Sequence, residues 1–375
     1  MGEGGGYAYP PPSLVFQGIG MNKSRFSALL FLFAITVAGC ASTPDVKPLL
    51  WPPLPAEPKI AYVKSLKGES DLREKSFFDK LLGSEPEQGL GKAYGVFARD
   101  SRIYVTITAG AYVQIFDEKE RQISIVAGEG EDRLALPIGV AVSSDGTLYV
   151  TDAKKKGVFG FDSKGKLRVS IWKKGEFQNP AGLAINDELG RLYVVDSFGH
   201  AVHAYTLQGK KLFQFGTNGN GDGEFYYPTN IAVDRRNGKL YVVDTQNFRV
   251  QVFDQDGKFI KKFGELNDTL GTFSRPKGIG VDTEGHVYVV DAAFENFQIF
   301  DEDGQLLLFL GAAGDAPGFF NLPAGMYVDE NDRIYVVDSL NRRVQVFQYL
   351  SEKWKKDHSE EYQKLLQPQA GDGQK

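Results

Sequence analysis

The chain has 375 residues, 42% of them hydrophobic and 24% charged, with a formal net charge of −5. That balance excludes a disordered chain and a membrane-spanning bundle, and it lacks the basic footprint nucleic-acid binding requires. The 43 glycines and 17 prolines announce many turns, and a single cysteine leaves no disulfide within the chain.

In chain order, residues 1–20 form a Gly- and Pro-rich leader ahead of a complete signal that begins at Met21, and they read as a start-site artefact. Lys23 and Arg25 make a basic n-region, and Phe26 to Val37 is an apolar stretch. It is too short to cross a bilayer, which takes about 20 apolar residues. It ends in Ala38, Gly39 and Cys40. This junction resembles the lipobox of bacterial lipoproteins, which implies a signal peptide over 21–39 and a lipid anchor on Cys40. Ala41 stands where an Asp would resemble an inner-membrane retention signal, so the resemblance implies a periplasmic protein anchored in the outer membrane. Residues 40–58 hold Pro44, Pro48, Pro52, Pro53, Pro55 and Pro58. Such density predicts an extended polyproline spacer without helix or sheet.

From residue 59 to about 350 one phrase recurs. It is Tyr149 to Asp152, Tyr193 to Asp196, Tyr241 to Asp244, Tyr288 to Asp291 and Tyr335 to Asp338, with a degenerate copy at Tyr104 to Ile107. The tyrosines are 45, 44, 48, 47 and 47 residues apart, a period suited to one four-stranded propeller blade. A Gly-x-Phe-x-x-Pro approach (Gly223, Phe225, Pro228 and its equivalents) leads into strand one. Turns such as Asn237-Gly238 lead into strand two, the recurring phrase. Strand three is typified by Val250 to Phe253 and strand four by Phe259 to Phe263, both alternating apolar and polar residues. The last repeat lacks its fourth strand, and Ile60 to Gly68 has the missing pattern. The expected fold is therefore all-β, a six-bladed propeller whose last blade is closed by an N-terminal strand at about 60–68. Closure removes edges that would otherwise invite aggregation.

Asp244, Asn247, Arg249 and Val250, and again Asp338, Asn341, Arg343 and Val344, resemble NHL repeats. The resemblance covers roughly residues 90–350 and is looser in the other blades; Asn296 stands where these two have Arg. Outside the repeats, Phe77, Phe78, Leu81 and Leu82 share a helical face. Residues 351–375 read as a polar helix carrying Trp354, Tyr362, Leu365 and Leu366, followed by a disordered tail. Both segments are expected to pack against the propeller.

The loops before strand one and after strand two fall on one face, at the mouth of the central channel. Asp152, Asp196, Asp244, Asp291 and Asp338 collect there, and a residue repeated in every good blade reads as a turn tether rather than an acidic metal ring. Departures from the repeat say more. Asn230 replaces a glycine shared by Gly95, Gly139, Gly182, Gly278 and Gly325, and with Lys277 and Tyr94 it would surround the mouth. His200 and His203 replace Phe248- and Gln251-type residues; three apart in a strand, they face opposite sides and do not share a metal. Asp254, Asp256 and Gly257 echo a calcium loop without its later ligands. Tyr226, Tyr227 and Phe319 are exposed aromatic candidates, and Arg249 and Arg343 complete the set of ligand contacts on the loop face.

No nucleophile elbow, phosphate loop, haem-attachment motif or zinc spacing is present. The leading expectation is a lipid-anchored envelope scaffold that recruits a protein, peptide or glycan through its loop face, with no cofactor. The rival is a metal-dependent propeller hydrolase or lyase, lactonase-like, with a divalent ion held at the mouth by Asn230, Asp244 and Asp291. Fold alone does not choose between them.

Overall fold

The computed structural model describes residues 48–72 and 89–367. The signal, Cys40, the apolar face at Phe77 to Leu82 and the tail beyond Pro368 lie outside those residues. The described chain forms six antiparallel sheets in a ring. The inner strands are Ala93–Arg99, Pro137–Val142, Pro180–Asn186, Pro228–Val233, Pro276–Val281 and Pro323–Val328, which number blades 1 to 6. In each blade the second strand is the tyrosine phrase. Tyr149, Tyr193, Tyr241, Tyr288 and Tyr335 are all buried between sheets, as the alternation of large apolar residues requires. Two of these tyrosines also stitch blades together: the hydroxyls of Tyr149 and Tyr193 donate to Leu207 O and Gln255 O of the following blade, at 2.7 Å each. The Phe of each approach loop (Phe177, Phe225, Phe273, Phe320) is core.

Inner strands can crowd the axis because their third residue is small. A Cβ on Gly139 would sit 2.6 Å from Ala181 O, and one on Gly325 would sit 2.3 Å from Tyr94 O. Asn230 breaks the glycine ring, and Gly182 of the preceding blade makes room for it: a Cβ there would lie 2.3 Å from Asn230 Oδ1. The hairpin turns use glycine as expected, with Gly238 at φ 74°.

The ring closes where the sequence pattern places it. Ile60–Leu66 pairs antiparallel with Arg343–Tyr349, from Ile60 opposite Tyr349 to Leu66 opposite Val344. Ile60 and Leu66 are wholly buried, in the cores on either side of blade 6. One expectation fails here. Leu50–Trp51, inside the proline-rich segment, is a fifth strand of this blade, paired with Ile60 and Ala61. Proline lacks a donor but keeps its neighbours' acceptors. Lys59 and Tyr62 donate their amides to Trp51 O and Leu49 O, and an edge strand tolerates proline beside it. Trp51 packs edge-on against Phe347, 5.9 Å between centroids.

The C-terminal segment forms two short helices, Glu352–Asp357 and Ser359–Leu366, rather than one. Ser351 caps the first, accepting from Trp354 N. Trp354, Tyr362 and Leu365 lie on Leu50, Ala61 and Leu350, and Lys355 pairs with Glu57. This end of the chain covers the closing strands.

Blade 3 departs from blades 4, 5 and 6 inside its core. Gln251, Gln298 and Gln345 each accept from the glycine amide of their approach loop, and each donates to a carbonyl there. His203 takes this place in blade 3. Its Nδ1 is buried without a hydrogen-bond partner, and its Nε2 lies 3.9 Å from Asp196 Oδ2. Burial, and secondarily Lys211, holds its pKa below the ordinary histidine value despite Asp196 and Glu176.

Two outcomes follow from this packing. Ile60→Ala should cost about 2–5 kcal/mol in chemical denaturation; a variant as stable as the parent would contradict closure by this strand. A His203 pKa lower in the folded state means the unfolded chain binds more protons below about pH 6.5, so stability falls as pH drops through that value. His203→Gln, the residue of blades 1, 4, 5 and 6, should raise stability by about 1–2 kcal/mol. It should also flatten the loss between about pH 7 and 5, read as melting temperature against pH beside the parent.

Candidate functional site

The loop face is organised by one carboxylate in each of blades 2 to 6. Asp at the end of strand two pairs with the residue that opens strand one: Pro137 with Asp152, Pro180 with Asp196, Pro228 with Asp244, Pro276 with Asp291, and Pro323 with Asp338. Both loops therefore emerge side by side at the channel mouth. Each carboxylate is buried and gathers loop amides. Asp152 accepts from the amides of Ala135, Leu136, Lys154 and Lys155, and Asp291 from those of Ser274, Arg275, Ala293 and Phe294. Asp244 takes Tyr226 N, Asn247 Nδ2, Arg249 Nε and Gln251 Nε2. Blade 1 lacks this Asp, and there the Thr108 amide and hydroxyl both donate to Lys92 O.

Arg249 and Arg343, expected among the ligand contacts, are buried instead. Arg249 pairs with Asp244 at 2.8 Å and Arg343 with Asp338 at 2.7 Å. Their remaining donors hold carbonyls of the approach loops, Asn220, Gly221 and Glu224 in blade 4, Ala316 and Phe319 in blade 6. They are loop braces, because a guanidinium can reach several carbonyls at once in a fixed fork. The trio Asn230, Asp244 and Asp291 is likewise not assembled as a ligand set. The carboxylates serve the loops, and Asn230 Oδ1 accepts from Ile231 N. Among the described residues no group of three or more His, Cys, Asp or Glu side chains is arranged to hold a metal ion. The Asp254 and Asp301 segments are hairpin turns, each carboxylate capping amides of its own turn.

Two groups of expected residues do come together. Lys277 of blade 5 lies over the Tyr94 ring of blade 1, 5.4 Å from its centroid. Blade 6 stands between them, so the pair spans the start of its inner strand, where Ala324 is small. Burial lowers the Lys277 pKa, with Arg275 and Lys92 adding to the effect, and burial raises that of Tyr94. The second group is an aromatic ledge. His200 is stacked on Tyr226 at 5.9 Å, Tyr227 stands edge-on to both at 4.9 Å, and Phe198 meets Tyr227 at 5.6 Å. Phe198 and Tyr226 are 54% and 44% exposed, although Tyr226 N is fixed by Asp244 and Tyr227 N by His200 Nδ1. Thr229, two residues on, reaches Lys277 O at 3.4 Å, linking the two groups. Phe319 is exposed but belongs to the approach loop of blade 6, and no aromatic partner joins it to the ledge.

At the other end of the channel lies a feature absent from the sequence reading. Below the glycine ring is a chamber of about 290 Å³ that runs to Arg99, Asp187, Glu188 and Arg235 at the opposite face. Its fifth-position residues are small in four blades (Ala141, Ala184, Ala232, Gly280), whereas the Phe97 and Tyr327 rings meet there, tilted, at 4.3 Å between centroids. Burial pushes the Tyr327 pKa up to about 12 against the pull of Arg235 and Arg99. Arg99 bridges three blades through Val142 O and Asp187, and Arg235 bonds Val328 O. The signal was present in the register: Arg99 stands where other blades have Ser143, Asn186, Asp234, Asp282 or Asp329.

Comparison with known proteins agrees with this architecture. A family model described as 6-bladed beta-propeller matches residues 177–264, and the NHL repeat model matches residues 320–347. Among solved structures, a virginiamycin B lyase from Staphylococcus aureus is similar at 15% identity and TM-score 0.52, over 68% of this chain and 94% of that one. An auxiliary nutrient binding protein from Bacteroides thetaiotaomicron is similar at 16% identity and TM-score 0.56, over 70% of each chain. A gluconolactonase from Xanthomonas campestris is similar at 14% and 0.55, over 76% and 98%. At such identities the likeness is one of fold, and the chain is a six-bladed β-propeller carrying NHL-type repeats.

Proposed function

We propose that the protein is a lipid-anchored binding platform of the bacterial envelope, held by Cys40 at the periplasmic face of the outer membrane, whose loop face recruits an envelope component. The observation that carries this reading is the ledge of Phe198, His200, Tyr226 and Tyr227. Exposed aromatic rings on a rigid, hydrogen-bonded backbone lose little entropy when a partner docks. They also stand on the face that every blade contributes to, and loops on a rigid scaffold are where recognition is concentrated.

The lactonase-like alternative draws on the fold shared with a gluconolactonase and a lyase. The carboxylates it needs, Asp244 and Asp291, are engaged by loop amides and Arg249, so the ledge favours binding over catalysis.

Phe198→Ala with Tyr226→Ala should leave the melting transition within about 1 °C of the parent, since both rings are largely exposed. The pair should weaken retention on immobilised envelope fractions of the source cell by about tenfold or more, as loss of aromatic anchors does at an interface. Equal retention of parent and variant would overturn the platform reading.

A further inference from the structure

Cations cluster at the channel mouth of a chain whose net charge is −5. Lys92, Arg275 and Lys277 stand at the channel mouth, one residue before or after the start of the inner strands of blades 1 and 5. None of them makes an ion pair with another described residue. Lys154 and Lys156 of blade 2 and Arg342 of blade 6 add to the same face. Arg342 backs onto the approach to Lys92, its carbonyl accepting from Leu90 N at 2.8 Å. The acids closest to the inner strands are engaged elsewhere. The blade carboxylates are buried under loop amides, Glu176 is bonded to Tyr205 and Lys211, and Glu224 accepts from Gly221 N. Glu295 remains at the bend of its own loop, and Glu129, Glu131, Asp132, Glu265, Asp268 and Asp315 lie on the approach loops, set back by five or more residues from the inner strands they lead into. A protein of net charge −5 therefore gathers unpaired cations around one opening. Such an arrangement focuses an attractive field on an anion.

We infer that the loop face binds an acidic polysaccharide, with a sugar carboxylate at Lys277, Arg275 and Lys92 and a neighbouring sugar ring on the Tyr226–Tyr227 ledge. The inference rests on the platform reading and names its ligand. The aromatic ledge argues for sugar: the C–H faces of a pyranose carry partial positive charge and pack on the negative face of a ring. The link from Thr229 to Lys277 O holds ledge and cations in one frame. The half-buried position of Lys277 over Tyr94 strengthens any charge-assisted bond it makes, because solvent screens it less.

The test is titration calorimetry of the purified protein with polygalacturonate at two salt concentrations, beside dextran as a neutral polymer and poly-glutamate as an acidic peptide. Polygalacturonate should bind saturably and more weakly at the higher salt, and dextran should not. Lys277→Gln and Arg275→Gln should each weaken binding about tenfold, the loss of one charge-assisted bond, with unchanged melting curves. Phe198→Ala with Tyr226→Ala should weaken it as well. Absence of polygalacturonate binding, equal binding by both charge variants, or tighter binding of poly-glutamate would each overturn the inference. In any of those cases, envelope retention that still depends on Phe198 and Tyr226 would leave the platform reading standing, with a different ligand.

Discussion

The molecule depends on a hydrogen-bonded seam between the two ends of its repeat region. Ile60–Leu66 against Arg343–Tyr349 turns a row of six sheets into a ring. Without it, blade 6 would expose a flat apolar edge, and blades 6 and 1 would each lose a wall of their shared core. Leu50–Trp51 and the two C-terminal helices lie over this seam. The residues that leave and enter the propeller thus cover its closing joint. All loop geometry at the mouth is downstream of that joint, because a loop has a fixed position only in a closed ring.

Within the ring, the repeated Asp converts a regular sheet end into a rigid loop pair. A buried carboxylate satisfied by several amides is tolerated where an unpartnered one would be costly. Arginine braces Asp244 and Asp338 further, tying whole approach loops to the second strand. The same tethering that buries these acids and arginines also holds Tyr226 and Tyr227 at a fixed angle. Rigidity beneath and exposure above are two results of one interaction. Lys277 over Tyr94 reaches across a neighbouring blade, so the channel mouth is partly covered by side chains, and the chamber below it faces the other way.

Much of this was legible in the sequence, because propeller blades repeat their chemistry. The spacing of Tyr149, Tyr193, Tyr241, Tyr288 and Tyr335 marks the blades. The burial of Phe225 and its equivalents, the structural role of the five aspartates and the closing strand follow from the same repeats. The parts that were not legible depend on tertiary partners. Leu50–Trp51 pairs only because Ile60 and Ala61 offer an edge, and proline content alone argued against it. Arg249 and Arg343 look like surface groups until the approach loops fold over them. The chamber arises from one register position, small in Ala141, Ala184, Ala232 and Gly280 and large in Phe97 and Tyr327. That contrast becomes visible once six inner strands face a common axis.

Native-state hydrogen exchange of the backbone amides offers the most direct examination of the closed ring. If the seam is part of the cooperative unit, amides of residues 60–66 and 343–349 exchange as slowly as those of the second strands in blades 2 to 5, through global unfolding. Rapid exchange at 60–66 beside fully protected central blades would show an open ring and contradict this account.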